Sequence, residues 1–516
     1  MYVLILRLIY LNKPMQHFKN LLLLSIFSSI FILSNCGEDN EDPAADQTIN
    51  NGNAEGDSTI VLDLDGDGVL DTDDACLDTP SGEVVDDNGC PITDTVTETS
   101  LQQENFSEFS ISLSGSPHPL AGIANGAYTK PYSAYGMAPF IDFVVNTDNT
   151  IDVLWRDVSN NKFISKISLE TKSLVEEINI PTKINNQQRF LGFESLGNDK
   201  YIIGYSKDNE FGDVDAEAWY TAFDKTGTEL FSTRLWGEEK QTNTWSKGQP
   251  SQAGSALIRY SEENDFIVIY LAHTMLWDDG NRHQAGWLGF LDGNTGEILE
   301  NTSRTNRIGL SRDWFFSHNF DQRGIISSQN TFYSLSHGDT YPRALGIDVW
   351  SHINGHEYGF DYYEIKNGSL GQNKTLTTTG DLTELSNGNV AIVYSTEDDR
   401  QARDLKISII DMNEPKIEHE VWLTSLDQQY VGWGSKVIQY DEEHILVGWN
   451  TFDNNQGTGS HFILTRLDGT LTTEAHSLEK SVLYPAQSFK KSADGKSIIF
   501  LSEEDGELKV HVIDIN

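Results

Sequence analysis

From about Leu101 to Asn516 short runs of β-branched and aromatic residues alternate with Asn-Gly, Asp-Gly and Thr-Gly turns, and no long helical periodicity interrupts them. Runs of that length bounded by turn formers predict strands, so the region reads as all-β. One hairpin recurs: SLETKSLVEEI from Ser168, AFDKTGTELFS from Ala222, FLDGNTGEILE from Phe290, IIDMNEPKIEH from Ile409 and RLDGTLTTEA from Arg466. Each is an apolar strand end, usually an acidic residue, a tight polar turn and a second strand. Successive copies start 54, 68, 119 and 57 residues apart, the third gap spanning two repeats. Another strand pair lies upstream of each, as in LTELSNGNVAIVYS from Leu382. Four strands in roughly fifty to sixty residues is the size of a β-propeller blade.

Six full sets fit, at about 137–181, 187–236, 252–304, 317–365, 377–424 and 432–479. The last segment, 484–516, holds only three strands. An open ring would leave unpaired edges, and the alternating stretch FSEFSISLSG from Phe106 offers the missing fourth strand. The expectation is an all-β, seven-bladed β-propeller over 106–516, its two chain ends locked together. A stacked β-sandwich array is the other arrangement the pattern allows. The Asp-x-x-Thr-Gly turns loosely resemble those of the pyrroloquinoline-quinone-like repeat superfamily, which implies the propeller fold and not a quinone.

The first hundred residues differ in texture. Met15 opens MQHFKNLLLLSIFSSIFILSNC, a basic start and an apolar run from Leu21 to Leu33 that ends at Cys36. That is the layout of a secretory signal peptide, and its terminal cysteine resembles a bacterial lipobox. The resemblance implies a leader over 1–36, acylation of Cys36, and a lipid anchor in the cell envelope, at the outer membrane or cell surface. The alternative is an uncleaved anchor, for which the run is short. From Gly37 to Ser100 there are 19 Asp or Glu and no Lys or Arg. Such a segment buries too little to offset chain entropy, so 37–60 and 93–105 read as linkers, the first acidic and disordered. The whole chain carries a formal charge of −42, which excludes nucleic acid as a partner held through phosphate contacts.

Between the linkers, LDLDGDGVLDTDDAC sets Asp63, Asp65, Asp67, Asp71 and Asp74 at positions 1, 3, 5, 9 and 12 of a loop. Gly68 stands at position 6 and the backbone carbonyl of Val69 at 7, a spacing that offers calcium its oxygen ligands. Pro80, Gly82 and Gly89 break the flank and leave no room for the helix of an EF-hand. DLDGDGVLDTDDACLDTPSGEVVDDNGCPI resembles a thrombospondin type 3 repeat, covering 61–92. The resemblance implies calcium ions as cofactor and partner on Asp63, Asp65, Asp67, Val69, Asp71 and Asp74. It implies weaker ligands at Asp73, Asp86 and Asp87, and a disulfide between Cys76 and Cys90.

Function in the large region is sought on its long loops, because recognition residues usually sit on loops of a rigid scaffold. These are Trp277 to Trp287, Ser311 to Arg323, Ser336 to Arg343, Ser395 to Arg403 and Val431 to Ser435. Trp277, Trp287, Trp314, Tyr341 and Trp433 supply flat faces, and Arg323 and Arg343 supply donors, a mixture suited to a glycan or a protein loop. His318, Asp321, His337 and Asp339 are the acid/base candidates of the alternative, a carbohydrate-active or other hydrolytic enzyme. No Ser-His-Asp signature, Gly-rich phosphate loop or HExxH pattern occurs. The sequence therefore reads as a tethered, calcium-binding protein whose head binds a glycan or protein partner.

Overall fold

The computed structural model describes residues 100–117, 141–157, 159, 161–185, 189–206, 218–236, 248–250, 256–276, 282–299, 323–337, 344–364, 375–398, 400–454, 456–484 and 487–515, together with Val69, Thr72, Ala75, Cys76, Thr79 and Asn88. Two compact units divide the chain, Met1–Asp94 and Thr95–Asn516. In the first, Ala75 N–H donates to Asn88 O at 2.7 Å and Thr79 N–H to Cys76 O at 3.1 Å.

The second unit is a seven-bladed β-propeller, its strands paired in seven four-stranded antiparallel sheets. From the inner strand outward, blade 1 takes Ile141–Val145, Thr150–Arg156, Lys162–Ser168 and Ser173–Ile178. Blade 2 takes Arg189–Ser195, Lys200–Ser206, Ala218–Asp224 and Glu229–Trp236. Blade 3 has Ala256–Ser261, Phe266–Leu276 and Arg282–Asp292, with Gly248–Pro250 pairing to the far end of Phe266–Leu276. Blade 4 is Gly324–Ile326, Phe332–His337, Ala344–Ser351 and Gly355–Glu364. Blade 5 is Thr378–Glu384, Val390–Thr396, Asp404–Asp411 and Lys416–Trp422. Blade 6 is Tyr430–Gln439, His444–Asp453, Gln456–Arg466 and His476–Leu478. Blade 7 is Lys490–Lys491, Ser497–Glu504, Glu507–Asp514 and, outermost, Phe106–Ile111.

The stretch FSEFSI closes the ring as its alternation foretold. It pairs with Glu507–Asp514 over six residues, from Phe106 opposite Ile513 to Ile111 opposite Leu508. Apolar faces of neighbouring blades bury one another all the way round. Ile164 and Leu154 of blade 1 meet Phe190 and Tyr201 of blade 2, and Ile111, Ile499 and Val510 of blade 7 meet Ile141, Phe143 and Trp155 of blade 1. Burial of this kind contributes about 1.5–3 kcal/mol per large side chain, which is why strand order and not helix propensity decides the fold. Among the described residues the only helical turns are Gln103–Asn105 and Thr182–Asn185.

The acidic residue that opens the recurrent turn has a local task. Asp224 Oδ1 accepts from Thr226 N at 2.9 Å, Thr226 Oγ1 at 2.6 Å and Thr228 N at 3.0 Å. Asp411 Oδ1 accepts from Asn413 N at 2.8 Å. These bonds hold both carboxyls below the usual carboxylate range, the Thr226 hydroxyl leading at Asp224 and the Asn413 N–H at Asp411. Part of the chain's acidity is thus turn chemistry.

Candidate functional site

The inner strand of each blade carries a charged side chain in an otherwise largely apolar run. They are Asp142, Glu194, Arg259, Asp381, Lys436 and Lys490, with Arg323 directly ahead of Gly324–Ile326. Each stands two or four residues before the residue that opens the turn to the second strand: Asn146, Leu196, Ser261, Ser327, Leu385, Tyr440 and Ser492. Even spacing puts them on one face of their strands. The coupling of five of them across separate blades points this face toward the axis. Asp142 of blade 1 feels Lys490 of blade 7, Arg259 of blade 3 and Arg323 of blade 4. Glu194 feels Lys490, Arg259 and Asp142. Ser488, two residues before Lys490, donates to Asp381 Oδ1 of blade 5 at 3.0 Å, reaching past blade 6.

Close approach at the axis is built in. A Cβ on Gly380 would come within 2.1 Å of Ser435 Oγ on the next inner strand and 2.5 Å of Val393 O. Arg259 Nη1 donates to Ile258 O at 2.8 Å and lies 3.8 Å from Glu194 Oε2. Their side chains are 21% and 14% exposed. Lys490 Nζ donates to Phe143 O and sits 5.0 Å above the Phe143 ring. Asp381 is 1% exposed; its Oδ1 also accepts from Leu382 N at 3.1 Å, and its Oδ2 is buried with no hydrogen-bond partner among the described residues.

Burial sets the protonation balance. It pushes the Asp142 and Glu194 carboxyls above the usual range, opposed by Lys490 and Arg259. It pushes Lys490 down, opposed by Glu194 and Asp142. A carboxyl biased toward its acid form beside guanidinium and ammonium donors can give a proton, accept a hydroxyl, or hold an anionic group on the cations.

Of the residues singled out in the sequence, Arg323 falls in this ring and is 5% exposed. Trp433 is 4% exposed, tilted against Phe452 at 6.3 Å within the core shared by blades 7 and 1, so it presents no flat face to solvent. The stretch Val431–Ser435 is part of an inner strand, not an open loop. Ser395–Arg403 also turns inward. Arg403 is 1% exposed and its carbonyl accepts from Gly432 N at 2.9 Å, while the Arg400 guanidinium lies 4.1 Å over Trp422. Both stretches are drawn in because they seat one blade's inner strand on the previous blade. The expected loop from Trp277 to Trp287 is a strand from Arg282 onward, with Trp287 opposite Leu271, and His337 ends a strand opposite Leu345. Trp277, Trp314, His318, Asp321, Asp339, Tyr341 and Arg343 lie outside the described residues, as do Cys36, Asp63, Asp65, Asp67, Asp71, Asp74 and Cys90. Val69 and Cys76 are described. Among the described residues no group of three or more His, Cys, Asp or Glu is placed to hold a metal ion, and no helix is long and apolar enough to cross a membrane.

The sequence reading passed over Asp142, Glu194, Arg259, Asp381, Lys436 and Lys490. The available signal was a charge in the first strand of six sets, alone in IDFVV, GFESLG, LIRYS and SKVIQ and beside a second charge in GDLTE and SFKKS.

No family model matches the chain, and no curated protein does. Among solved structures it is similar to a polysaccharide lyase, an ulvan lyase, at 11% identity over 66% of this chain and 80% of that one, with a TM-score of 0.40. It is similar to the WD40 domain of Toxoplasma gondii coronin at 9% identity over 81% and 89%, TM-score 0.41. It is also similar to a Penicillium chrysogenum alpha-L-arabinanase complexed with arabinobiose at 12% identity over 66% and 96%, TM-score 0.35. None reaches the likeness at which a shared activity follows.

Proposed function

We propose that the protein is a lipid-anchored, calcium-binding protein of the cell envelope whose propeller head binds a glycan or protein partner. The observation that carries the head's role is the convergence of Asp142, Glu194, Arg259, Arg323 and Lys490 from five separate blades on one axis. A fold alone does not need it, since each buried charge costs free energy unless paired. The orphaned Asp381 Oδ2 calls for a donor that a ligand hydroxyl or amide would supply. A glycan array probed with the intact protein tests this: retention of at least one saccharide class by the wild type, weakened in Arg259→Gln, is expected. Absence of any signal together with enzymatic turnover would shift the assignment.

For the tether, calcium on Asp63, Asp65, Asp67, Val69, Asp71 and Asp74 is the reading. The 2.7 Å bond from Ala75 N to Asn88 O supports a cross-link from Cys76 to Cys90. A bridge closing that loop would add about 3 kcal/mol in the chain-entropy account. Limited proteolysis should cut between Gly37 and Ser100 much faster in chelator than in calcium, with the head intact in both. Equal cutting would remove calcium from the account.

One observation favours the second reading, a propeller-fold carbohydrate-active or hydrolytic enzyme. Asp142 and Glu194 are both held toward the acid form by burial beside cations, which is how a carboxyl becomes a proton donor near neutrality. Turnover of a glycan that falls by about 100-fold or more in Glu194→Gln, with binding kept, would establish it.

A further inference from the structure

The closing strand Phe106–Ile111 is held from two sides by histidines. On the blade 7 side, His511 stands opposite Glu108 in the ladder. Its ring stacks on Phe500 at 4.5 Å and 3°, its Nε2 meets Ser502 Oγ at 2.8 Å, and its Nδ1 lies 3.4 Å from Glu108 Oε2. On the blade 6 side, His476 stacks on Phe106 at 4.2 Å and 18°, beside Phe462. Its Nε2 has no hydrogen-bond partner among the described residues. The same strand is the entry of the chain into the propeller: Leu101 is buried with Tyr440, Phe489 and Ile513, and Asn105 Nδ2 donates to Asp514 O at 3.2 Å.

We infer that Phe106–Ile111 is an acid-releasable clasp, whose detachment on protonation of His511 and His476 opens the ring at the seam of blades 7 and 1 and frees the head's first strand. Both imidazoles sit where a charge is poorly solvated. Burial pushes His476 down, and burial followed by the nearby Lys509 pushes His511 to about 4. The sign follows. In the detached state each returns to an ordinary value near 6.5, so below that pH the open form binds protons that the closed form does not. The opening constant then rises by up to about tenfold per pH unit for each histidine, until the closed form itself protonates. The charges facing His511 are Glu108 on the clasp and Lys509 on its own strand, the latter bonded to Ser110 and 3.3 Å from Glu507 Oε2. Glu108 acts against release, but its side chain is 55% exposed and water screens it.

Hydrogen exchange of the full chain, read by mass spectrometry, tests the clasp. Peptides over 106–111 are compared with the interior strand 445–452 and corrected for intrinsic exchange at each pH. Between about pH 7 and pH 5 the opening of 106–111 relative to 445–452 is expected to rise tenfold or more. His511→Gln should cut that rise by at least half, and Glu108→Gln should leave it in place. Should His511→Gln fail to fold, His476→Phe supplies the same comparison. Equal relative protection at both pH values, or an undiminished rise in both histidine variants, would overturn the proposal.

Discussion

Deleting residues 1–112 is expected to lower the thermal midpoint of the propeller by about 5–10 °C relative to a chain that starts at Ser100. The deletion strips the fourth strand from blade 7. It removes Ile111 and Leu101, both buried, and the partly buried Phe106, each contributing about 1.5–3 kcal/mol. It also leaves Glu507–Asp514 as an edge and removes the bond from Asn105 to Asp514 O. A loss of that size is comparable with the whole stability of an ordinary domain, about 5–15 kcal/mol. Scanning calorimetry of the two chains provides the comparison, and a peptide covering Leu101–Gly115 added in trans should recover part of the midpoint. An unchanged midpoint would mean that the ring stays closed without its clasp.

Lys490→Met should cost about 3 kcal/mol at neutral pH, by leaving two deep carboxyls without their ammonium. Asp142 and Glu194 both rely on Lys490 to offset burial, and Lys490 also donates to Phe143 O. The cost has a pH signature. Without the cation the two carboxyls titrate higher still in the folded state, so the deficit shrinks as pH falls and they take up protons. Adding Glu194→Gln to Lys490→Met should restore part of the loss, because the uncompensated charge is then gone. Denaturant midpoints at constant slope at two pH values separate this from simple loss of packing, which would be the same at both.

The ring and its closure were legible because they rest on patterns of period two. The hairpins from Ser168, Ala222, Phe290, Ile409 and Arg466 each end the third strand of a blade, and FSEFSI reads as a half-buried strand wherever it is placed. The axial site was not legible in the same way. A lone Asp142 or Arg259 in an apolar strand looks like an ordinary solvated alternation. Only the ring geometry brings Asp142, Glu194, Arg259, Arg323 and Lys490 toward one another. Bulges before Phe193, Leu382 and Lys436 shift the inward parity partway along three inner strands, which hides the alignment further. Loop length misled in the opposite direction. The charged stretch from Ser395 to Arg403 carries the composition of a recognition loop, yet Arg403 is buried and Arg400 is spent on Trp422. Trp433 lies in the core on the other side of its strand, packed with Phe452 among residues of blades 7 and 1.

Orientation follows from connectivity. The chain enters at Phe106 opposite Ile513, beside the turn at Ser492–Ser497 that joins the first two strands of blade 7. That entry lies at the end of the blade where its first and second strands are joined. At the opposite end the inner strands begin, with Asp142 the second residue of its strand and Arg323 directly ahead of its own.

The most direct measurement is calorimetric titration of the tightest saccharide from the array into wild-type protein and into Arg259→Gln and Leu230→Ser. Arg259 belongs to the axial group and Leu230 lies on an outer strand. The axial account predicts at least a tenfold loss of affinity for the first variant, about 1.4 kcal/mol, and none for the second. Affinity preserved in a folded Arg259→Gln protein would contradict it.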